Sequence, residues 1–447
     1  MNKLFGTDGI RGVANKDLTP ELAMSVGRAA AVVAVNGGEP GRILIGRDTR
    51  LSGEMLERAF VAGVMSTGAE VVRLGVIPTP AVAYLTKKLG VDAGCVISAS
   101  HNPVDDNGIK LFNKSGFKFT GTEEEAVERL VPSGAYAGEH PSGADIGKIS
   151  DAGMEGRRLY AEHAVNVMPV DLSGIKIALD AAYGAAYDIG GEIFRQAGAE
   201  VVEIGNEPRG DLINVNCGST NPLRVRDEVV ARDDYIGLAL DGDADRVIAV
   251  DEDGNVLDGD YIMAITAGFL KDEGSLTANT LVSTVMANCG FDIAMKELGI
   301  GVVKTDVGDR FVLQELLERD LNFGGEQSGH IIFLDHNTTG DGLITGLMLA
   351  AIKAATGRPL SELKKVMSKL PQVLLNVRVA DKRRLGNAAN VWSEVEKSEV
   401  LLGGQGRVLI RTSGTEPLVR VMVEATTEGA AERIAGHLAA IVEKELS

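Results

Sequence analysis

The chain has 447 residues, with 63 Asp and Glu against 45 Lys and Arg and a formal net charge of −18. That balance argues against nucleic acid or an anionic membrane as partner, so an anionic ligand has to be met by local positive pockets. The length exceeds one ordinary core and points to roughly three domains or more.

Glycine is frequent (55 residues) and aromatics make up only 4%, a mix suited to many tight strand-to-helix connections around aliphatic cores. Cys95, Cys217 and Cys289 lie far apart without CxxC spacing, so neither a disulfide framework nor a zinc site is indicated. The start, Met1-Asn-Lys-Leu-Phe-Gly, has no secretory apolar region. The apolar run Ala29 to Val35 is far below the roughly 20 residues a membrane span needs. A soluble protein of a reducing cytoplasm is expected.

In chain order, Phe5-Gly-Thr-Asp-Gly-Ile-Arg-Gly12 opens with three glycines around Asp8 and Arg11. Thr19-Pro20 reads as N-cap and first helical residue. Arg42 to Gly46 is a strand, Gly46-Arg-Asp-Thr-Arg50 the loop after it, and Ser52 the expected cap of a helix to about Thr67. Strands follow at Glu70 to Leu74 and Ala93 to Ile97, with a helix over Pro80 to Leu89 between them. Pro132 to Asp151 reads as an exposed connection. A second unit has strands at Ile175 to Asp180, Ala199 to Ile204 and Tyr235 to Leu240. A third is expected to begin at Val247 to Val250, with a helix near Gly259, strands near Leu281 and Val302, and a helix from about Val307. A long helix follows Asp341 and breaks at Gly357-Arg-Pro359. From Gln372 the pattern becomes three strands and one final helix from about Glu428. Strands alternating with helices argue for α/β units with parallel pairing, followed by a small α+β domain. No short-period repeat is visible, which excludes solenoids and propellers.

Four loops carry chemistry. Ser98-Ala-Ser-His-Asn-Pro103 follows a buried strand and ends on a turn-starting Asn-Pro pair, which puts Ser100 and His101 at a strand's carboxyl edge. A serine there is a candidate nucleophile, and Lys110 a candidate proton donor or phosphate clamp. Asp241-Gly-Asp-Ala-Asp-Arg246 sets three carboxylates at alternate positions, which demand a counter-ion. Hard oxygen donors point to Mg²⁺. A calcium EF-hand loop is disfavoured, because Arg246 stands where its sharp turn requires Gly. Gly325-Glu-Gln-Ser-Gly-His330 offers a carboxylate, an amide, a hydroxyl and an imidazole for a polyhydroxylated ligand. Arg411-Thr-Ser-Gly-Thr-Glu-Pro417, with Arg420 beyond, has the composition of a phosphate cradle.

In this order and spacing the four loops resemble those of the α-D-phosphohexomutase superfamily. The opening octapeptide and the Gln of the third loop most resemble its bacterial phosphoglucosamine mutases. The resemblance implies three α/β domains with mixed or parallel sheets and a smaller C-terminal α+β domain around a central cleft, with boundaries at 1–153, 154–253, 254–368 and 369–447. It implies interconversion of D-glucosamine 6-phosphate and α-D-glucosamine 1-phosphate through a phosphoserine enzyme and glucosamine 1,6-bisphosphate, in UDP-N-acetylglucosamine biosynthesis. A homodimer is implied as well.

The roles it implies are residue by residue. Ser100 carries the phosphoryl group, and Asp241, Asp243, Asp245 and the Ser100 phosphate hold Mg²⁺. Lys110 is the general acid/base, supported by His101 and Arg11; with an ordinary pKa near 10.4, acting as a base at neutral pH would require cationic neighbours or burial. Arg246, Glu326, Ser328 and His330 meet the sugar, while Arg411, Ser413, Gly414, Thr415 and Arg420 hold a phosphate. Ser98 is the rival nucleophile, because alternate strand residues share a face. Alternative activities are those of the superfamily's phosphomannomutases and phosphoglucomutases, or a Mg²⁺-dependent sugar phosphatase.

Overall fold

Short runs of Val, Ile, Leu and Ala bounded by glycines and turn residues fold into strands buried on both faces, as sheets covered by helices on each side require. The computed structural model describes all residues except 1–3, 7, 36–40, 134–140 and 414–416. Its strands are β1 (Ile10–Val13), β2 (Arg42–Arg47), β3 (Glu70–Val76), β4 (Ala93–Ile97), β5 (Asp106–Asn113), β6 (Ile149–Asp151), β7 (Lys176–Asp180), β8 (Glu200–Ile204) and β9 (Tyr235–Leu240). They continue with β10 (Val247–Val250), β11 (Val256–Leu257), β12 (Thr280–Thr284), β13 (Gly301–Thr305), β14 (Phe323–Gly325), β15 (Ile331–Phe333), β16 (Gln372–Arg378), β17 (Gly406–Thr412) and β18 (Leu418–Ala425).

Four sheets result, in the orders β1-β5-β4-β2-β3-β6, β11-β10-β9-β7-β8, β13-β12-β14-β15 and β16-β18-β17. The first three combine parallel pairs with an antiparallel edge, and the fourth is wholly antiparallel. The fold is α/β with mixed sheets. In each of the first three sheets a parallel strand runs into a loop and returns as its antiparallel neighbour: β4 to β5, β9 to β10, β14 to β15. Those three loops are residues 98–105, the serine loop, residues 241–246, the acidic loop, and residues 326–330, from Glu326 to His330.

The chain divides into two compact units, Met1–Val285 with Val303–Lys364, and Met286–Val302 with Lys365–Ser447. In the first, Ile43, Ile45, Cys95, Ile97, Ile109 and Leu111 pack against Ala23, Val26, Ala30, Leu56 and Phe60 from the covering helices. In the second, Val419, Val421 and Val423 of β18 pack with Val391, Val395, Ala435 and Leu438.

Helix ends follow their capping chemistry. Thr19 Oγ1 accepts the Leu22 N–H at 3.2 Å, ahead of Pro20 in the first helical position. Asp341 caps the buried helix Gly342–Thr356 through the N–H groups of Leu343 and Ile344, and Gly357 ends it with φ 64°.

Four expectations need correction. Val247–Val250 does not open a third unit but pairs antiparallel with β9 in the second sheet. Ser52 is itself helical and makes no cap; its hydroxyl accepts from Asn107 Nδ2 instead. The stretch before Asp151 contains β6, paired parallel to β3. The C-terminal unit holds a second long helix, Ala389–Leu402. Among the described residues, no helix is long and apolar enough to cross a membrane.

Candidate active site

The serine loop leaves β4 by a sharp reversal. Ser100 has φ 52°, a left-handed conformation unusual for a residue with a Cβ. The turn buries the residue completely and aims its hydroxyl at the acidic loop, where Ser100 Oγ donates to Asp241 Oδ2 at 2.6 Å. His101 Nδ1 lies 3.2 Å from the same Oγ. Burial, with Arg246 and Arg11 nearby, pushes the His101 imidazole down to about 4, so it is neutral at neutral pH.

The two loops touch at backbone level. A Cβ on Gly242 would stand 2.6 Å from the Ser100 carbonyl oxygen, so only glycine permits this approach. The donor atoms of Asp241, Asp243 and Asp245 lie within 4.8 Å of one another, and all three residues are buried. Burial and its two neighbouring carboxylates push the Asp241 carboxyl well above the usual range. Asp245 falls well below it: burial opposes ionisation, but Lys110, His330 and Arg246 outweigh it.

Asp243 Oδ2 accepts from Lys110 Nζ at 2.8 Å and from Thr79 Oγ1 at 2.7 Å, while its buried Oδ1 has no hydrogen-bond partner among the described residues. Asp245 Oδ1 makes no hydrogen bond among the described residues, with His330 Nδ1 and Arg246 Nε 3.6 and 3.8 Å away. Buried carboxylate oxygens left over in this way, on an all-oxygen donor set, fit a divalent cation of the hard class.

Lys110, almost fully buried, pairs with Asp243, with Asp245 at 3.2 Å and with Asp8 at 3.2 Å. Burial disfavours its charge, but these three carboxylates hold its pKa well above the ordinary value. The neutral lysine that a base requires is therefore not what this environment produces. The setting stabilises an ammonium, suited to donate a proton or to compensate negative charge. Asp8 also pairs with Arg11 and with Lys118, which bridges on to Asp309. Arg11 Nη1 donates to Asn102 Oδ1 in the serine loop at 2.8 Å.

The 326–330 loop closes on itself: the Glu326 N–H donates to the His330 carbonyl and the Gly329 N–H to the Glu326 carbonyl. Glu326 Oε1 accepts the Gly308 N–H at 3.0 Å, and the buried Ser328 Oγ has no hydrogen-bond partner among the described residues. His330 faces the acidic loop, with Nδ1 3.6 Å from Asp245 Oδ1. Burial opposes its charge, but Asp245 and Asp309 raise its pKa. Arg246 is held charged by Asp245, Asp241 and Glu326 against the effect of burial. Ser100, His101, Lys110, Arg11, Arg246, Glu326, Ser328, His330 and the three aspartates thus all belong to the first compact unit.

In the second unit, Arg411 on β17 lies directly opposite Arg420 on β18. Like charges across a strand pair are unfavourable without an anion between them, and the buried Arg420 Nε has no hydrogen-bond partner among the described residues. Ser413 is buried beside them, its carbonyl accepting from Lys382 Nζ at 2.5 Å. Gly414 and Thr415 lie outside the described residues.

Four phosphoglucomutase/phosphomannomutase domain families match in sequence order: alpha/beta/alpha domain I over residues 2–137, domain II over 158–254, domain III over 258–370 and the C-terminal domain over 374–441. A phosphoglucosamine mutase of Pelotomaculum thermopropionicum is 52% identical over 444 residues, covering 99% of this chain and 100% of that relative. This chain belongs to the phosphoglucosamine mutase family of the phosphohexomutase superfamily. Its fold is shared by a Burkholderia thailandensis phosphoglucomutase/phosphomannomutase family protein, with TM-score 0.82, 24% identity and coverage of 99% and 97% of the two chains. Aspergillus fumigatus N-acetylphosphoglucosamine mutase, solved with GlcNAc-6P and magnesium, matches with TM-score 0.67 and 19% identity over 99% and 96%.

Sequence reasoning missed several members of this site. Thr79, Lys118 and Asp309 carried no motif signal, since Thr79 and Asp309 are single polar residues opening the ordinary helices Thr79–Lys88 and Asp309–Glu318, and Lys118 sits in an isolated bridge to Phe112. Asp48, Arg50 and Asn214 were passed over for the same reason, although all three support the serine loop. The density of charge in Gly46-Arg-Asp-Thr-Arg50, directly after a buried strand, was the available clue.

Proposed function

We propose that the chain interconverts D-glucosamine 6-phosphate and α-D-glucosamine 1-phosphate through a phosphorylated Ser100. The observation that carries this reading is the fully buried Ser100 hydroxyl, bonded to Asp241 at the head of a buried triple-aspartate loop. A nucleophile shielded from water suits transfer between sugar oxygens and disfavours hydrolysis.

Asp241, Asp243, Asp245 and an oxygen of the Ser100 phosphate would hold Mg²⁺, the ion solved with the Aspergillus relative. Held by these residues, the ion would supply charge withdrawal from the transferring phosphoryl group. The sugar 1-hydroxyl attacks that group, the bond to Ser100 Oγ breaks, Lys110 gives a proton to the departing serine oxygen and takes up the one lost by the attacking hydroxyl, and glucosamine 1,6-bisphosphate forms. The bisphosphate turns over and returns its 6-phosphoryl group to Ser100, releasing the 1-phosphate. Lys110 serves as the acid that protonates the departing serine oxygen and compensates charge, His101 acts as its neutral hydrogen-bond partner, and Arg11 steadies the loop through Asn102. Glu326, Ser328, His330 and Arg246 hold the sugar, and Arg411, Ser413, Gly414, Thr415 and Arg420 hold the phosphate that is not reacting. The four-domain division near 153, 253 and 368, a homodimer and a cytoplasmic location complete the reading.

The test is kcat/KM of Mg²⁺-loaded, Ser100-phosphorylated enzyme for glucosamine 6-phosphate against glucose and mannose 6-phosphates, with phosphate release followed. A preference of about tenfold, or about 1.4 kcal/mol, for the amino sugar without phosphate release is expected. Preference for a neutral hexose would move the chain to the phosphogluco- or phosphomannomutase activities, and steady phosphate release would make it a phosphatase.

A further inference from the structure

The serine loop is held from behind by one buried ion pair. Arg50 is 1% exposed, and its Nε donates to Asp48 Oδ2 at 3.0 Å. The rest of its guanidinium gathers main-chain oxygens of the loop. Nη1 donates to the carbonyls of Pro103 at 2.5 Å and Asp106 at 2.9 Å, and Nη2 to those of Ser100 at 2.9 Å and Asn102 at 2.8 Å. All five N–H donors of the fork are thereby used.

Asp48 accepts the Arg50 backbone N–H at 2.9 Å and the Ser98 hydroxyl at 2.6 Å. Ser98 Oγ in turn accepts the Ser100 backbone N–H at 2.9 Å. Two routes from the same ion pair therefore end on Ser100, one on its carbonyl and one on its amide. These bracket the φ of 52° that turns its side chain toward Asp241. A left-handed conformation at a residue with a Cβ persists only where its surroundings over-determine it. Asn214 Nδ2 adds a third hold, also on the Ser100 carbonyl, at 2.8 Å. Ser98, the rival nucleophile, is committed on both sides of its hydroxyl.

We propose that Arg50 and Asp48 are positioning residues: they fix Ser100 in its left-handed turn with its hydroxyl on the acidic loop, and phosphoryl transfer depends on them while sugar binding does not. Among the described residues, the pair makes no hydrogen bond or ion pair with Arg246, Glu326, Ser328 or His330. A lysine cannot substitute, because one ammonium does not reach four carbonyls spread from residue 100 to 106 in the plane of a fork. The inference rests on Ser100 being the phosphoryl carrier.

The experiment compares wild type, Arg50→Lys, Arg50→Ala, Ser98→Ala and Ser100→Ala as full-length protein, each checked for folding by circular dichroism. It reads kcat, KM for glucosamine 6-phosphate and phosphopeptide occupancy at Ser100. For Arg50→Lys, kcat is expected to fall by about 100-fold with KM changed less than about threefold. Millimolar guanidinium should restore part of the Arg50→Ala turnover, and methylammonium should not. Ser98→Ala, which cuts only the amide route and leaves the ion pair, should lose kcat by a smaller factor, again at constant KM. Wild-type kcat in Arg50→Lys, or a loss confined to KM, would overturn the proposal. If Arg50→Ala does not fold, Arg50→Lys and Ser98→Ala carry the decision. Turnover by Ser100→Ala would remove the phosphoserine reading itself, an outcome separable from the others.

Discussion

The closest approach between the serine and acidic loops can be tested with one methyl group. In Gly242→Ala the new Cβ would lie 2.6 Å from the Ser100 carbonyl oxygen, 2.9 Å from Asn214 Nδ2 and 2.9 Å from Ile213 Cδ1. Ordinary contact begins at 3.4 Å, so the loops must part by about 0.8 Å. The carbonyl cannot simply rotate away, because Arg50 and Asn214 both donate to it. The separation therefore falls on the 2.6 Å bond from Ser100 Oγ to Asp241. A displacement near 1 Å in a catalytic constellation costs on the order of 100-fold in rate, so about 30- to 100-fold is expected in kcat/KM. Overpacking of this kind also costs about 1–3 kcal/mol of stability. Steady-state kinetics with glucosamine 6-phosphate, beside urea denaturation, measure both. Gly436→Ala is the control: its Cβ meets nothing within 4 Å in the helix Glu428–Leu446, so turnover should hold and stability rise by up to about 1 kcal/mol. Wild-type kcat/KM in Gly242→Ala would refute the view that transfer needs these loops in contact.

Asp243→Ala should fold as the wild type does, lose most turnover and no longer bind Mg²⁺ in a calorimetric titration; full wild-type activity in chelator would remove the metal assignment. Lys110→Met strips the buried cation from Asp8, Asp243 and Asp245, and metal-free protein should lose about 3–5 kcal/mol in urea denaturation. Added Mg²⁺ should restore more stability to this variant than to wild type, and an unaltered midpoint without metal would contradict the charge accounting. The His101 imidazole should titrate at about 4 in a proton NMR experiment, against 6.5 for a free one. Because its folded value lies below the unfolded one, the unfolded chain takes up the proton first. This group therefore lowers stability as pH falls from about 6.5 toward 4, and has no effect above. A midpoint above 6 would contradict the burial described for the loop.

The chemistry-bearing loops were legible because each concentrates unusual residue types directly after an apolar run. Strands such as Ala93–Ile97 and Tyr235–Leu240 were legible because burial on both faces leaves an unbroken apolar signature. β5 was harder: it mixes Asp106, Asn107 and Lys110 with apolar residues, and its charge is buried against partners more than a hundred residues away. β6 is exposed at all three residues, so no hydrophobic pattern marks it. The helix Ala389–Leu402 buries only Val391, Val395 and Ser398 fully, a stripe too thin to stand out between strands. The role of Arg50 left no mark in the sequence because its four carbonyl partners come from a loop some 50 residues later. The recurring strand–loop–strand layout of the first three sheets leaves no period in the sequence, since the loops differ in length and chemistry.

The placement of residues 286–302 within the C-terminal unit sets an order for the protein's biogenesis. In the finished chain the Cys289 N–H donates to Glu424 Oε2 at 2.7 Å, and Asn288 Oδ1 accepts the Leu370 N–H at 2.9 Å. A ribosome releases the helix Cys289–Glu297 long before it makes Glu424. Until the last strands emerge, the N–H of Cys289 is without its Glu424 acceptor. Synthesis therefore passes through an interval in which the start of this helix waits for partners made 82 and 135 residues later.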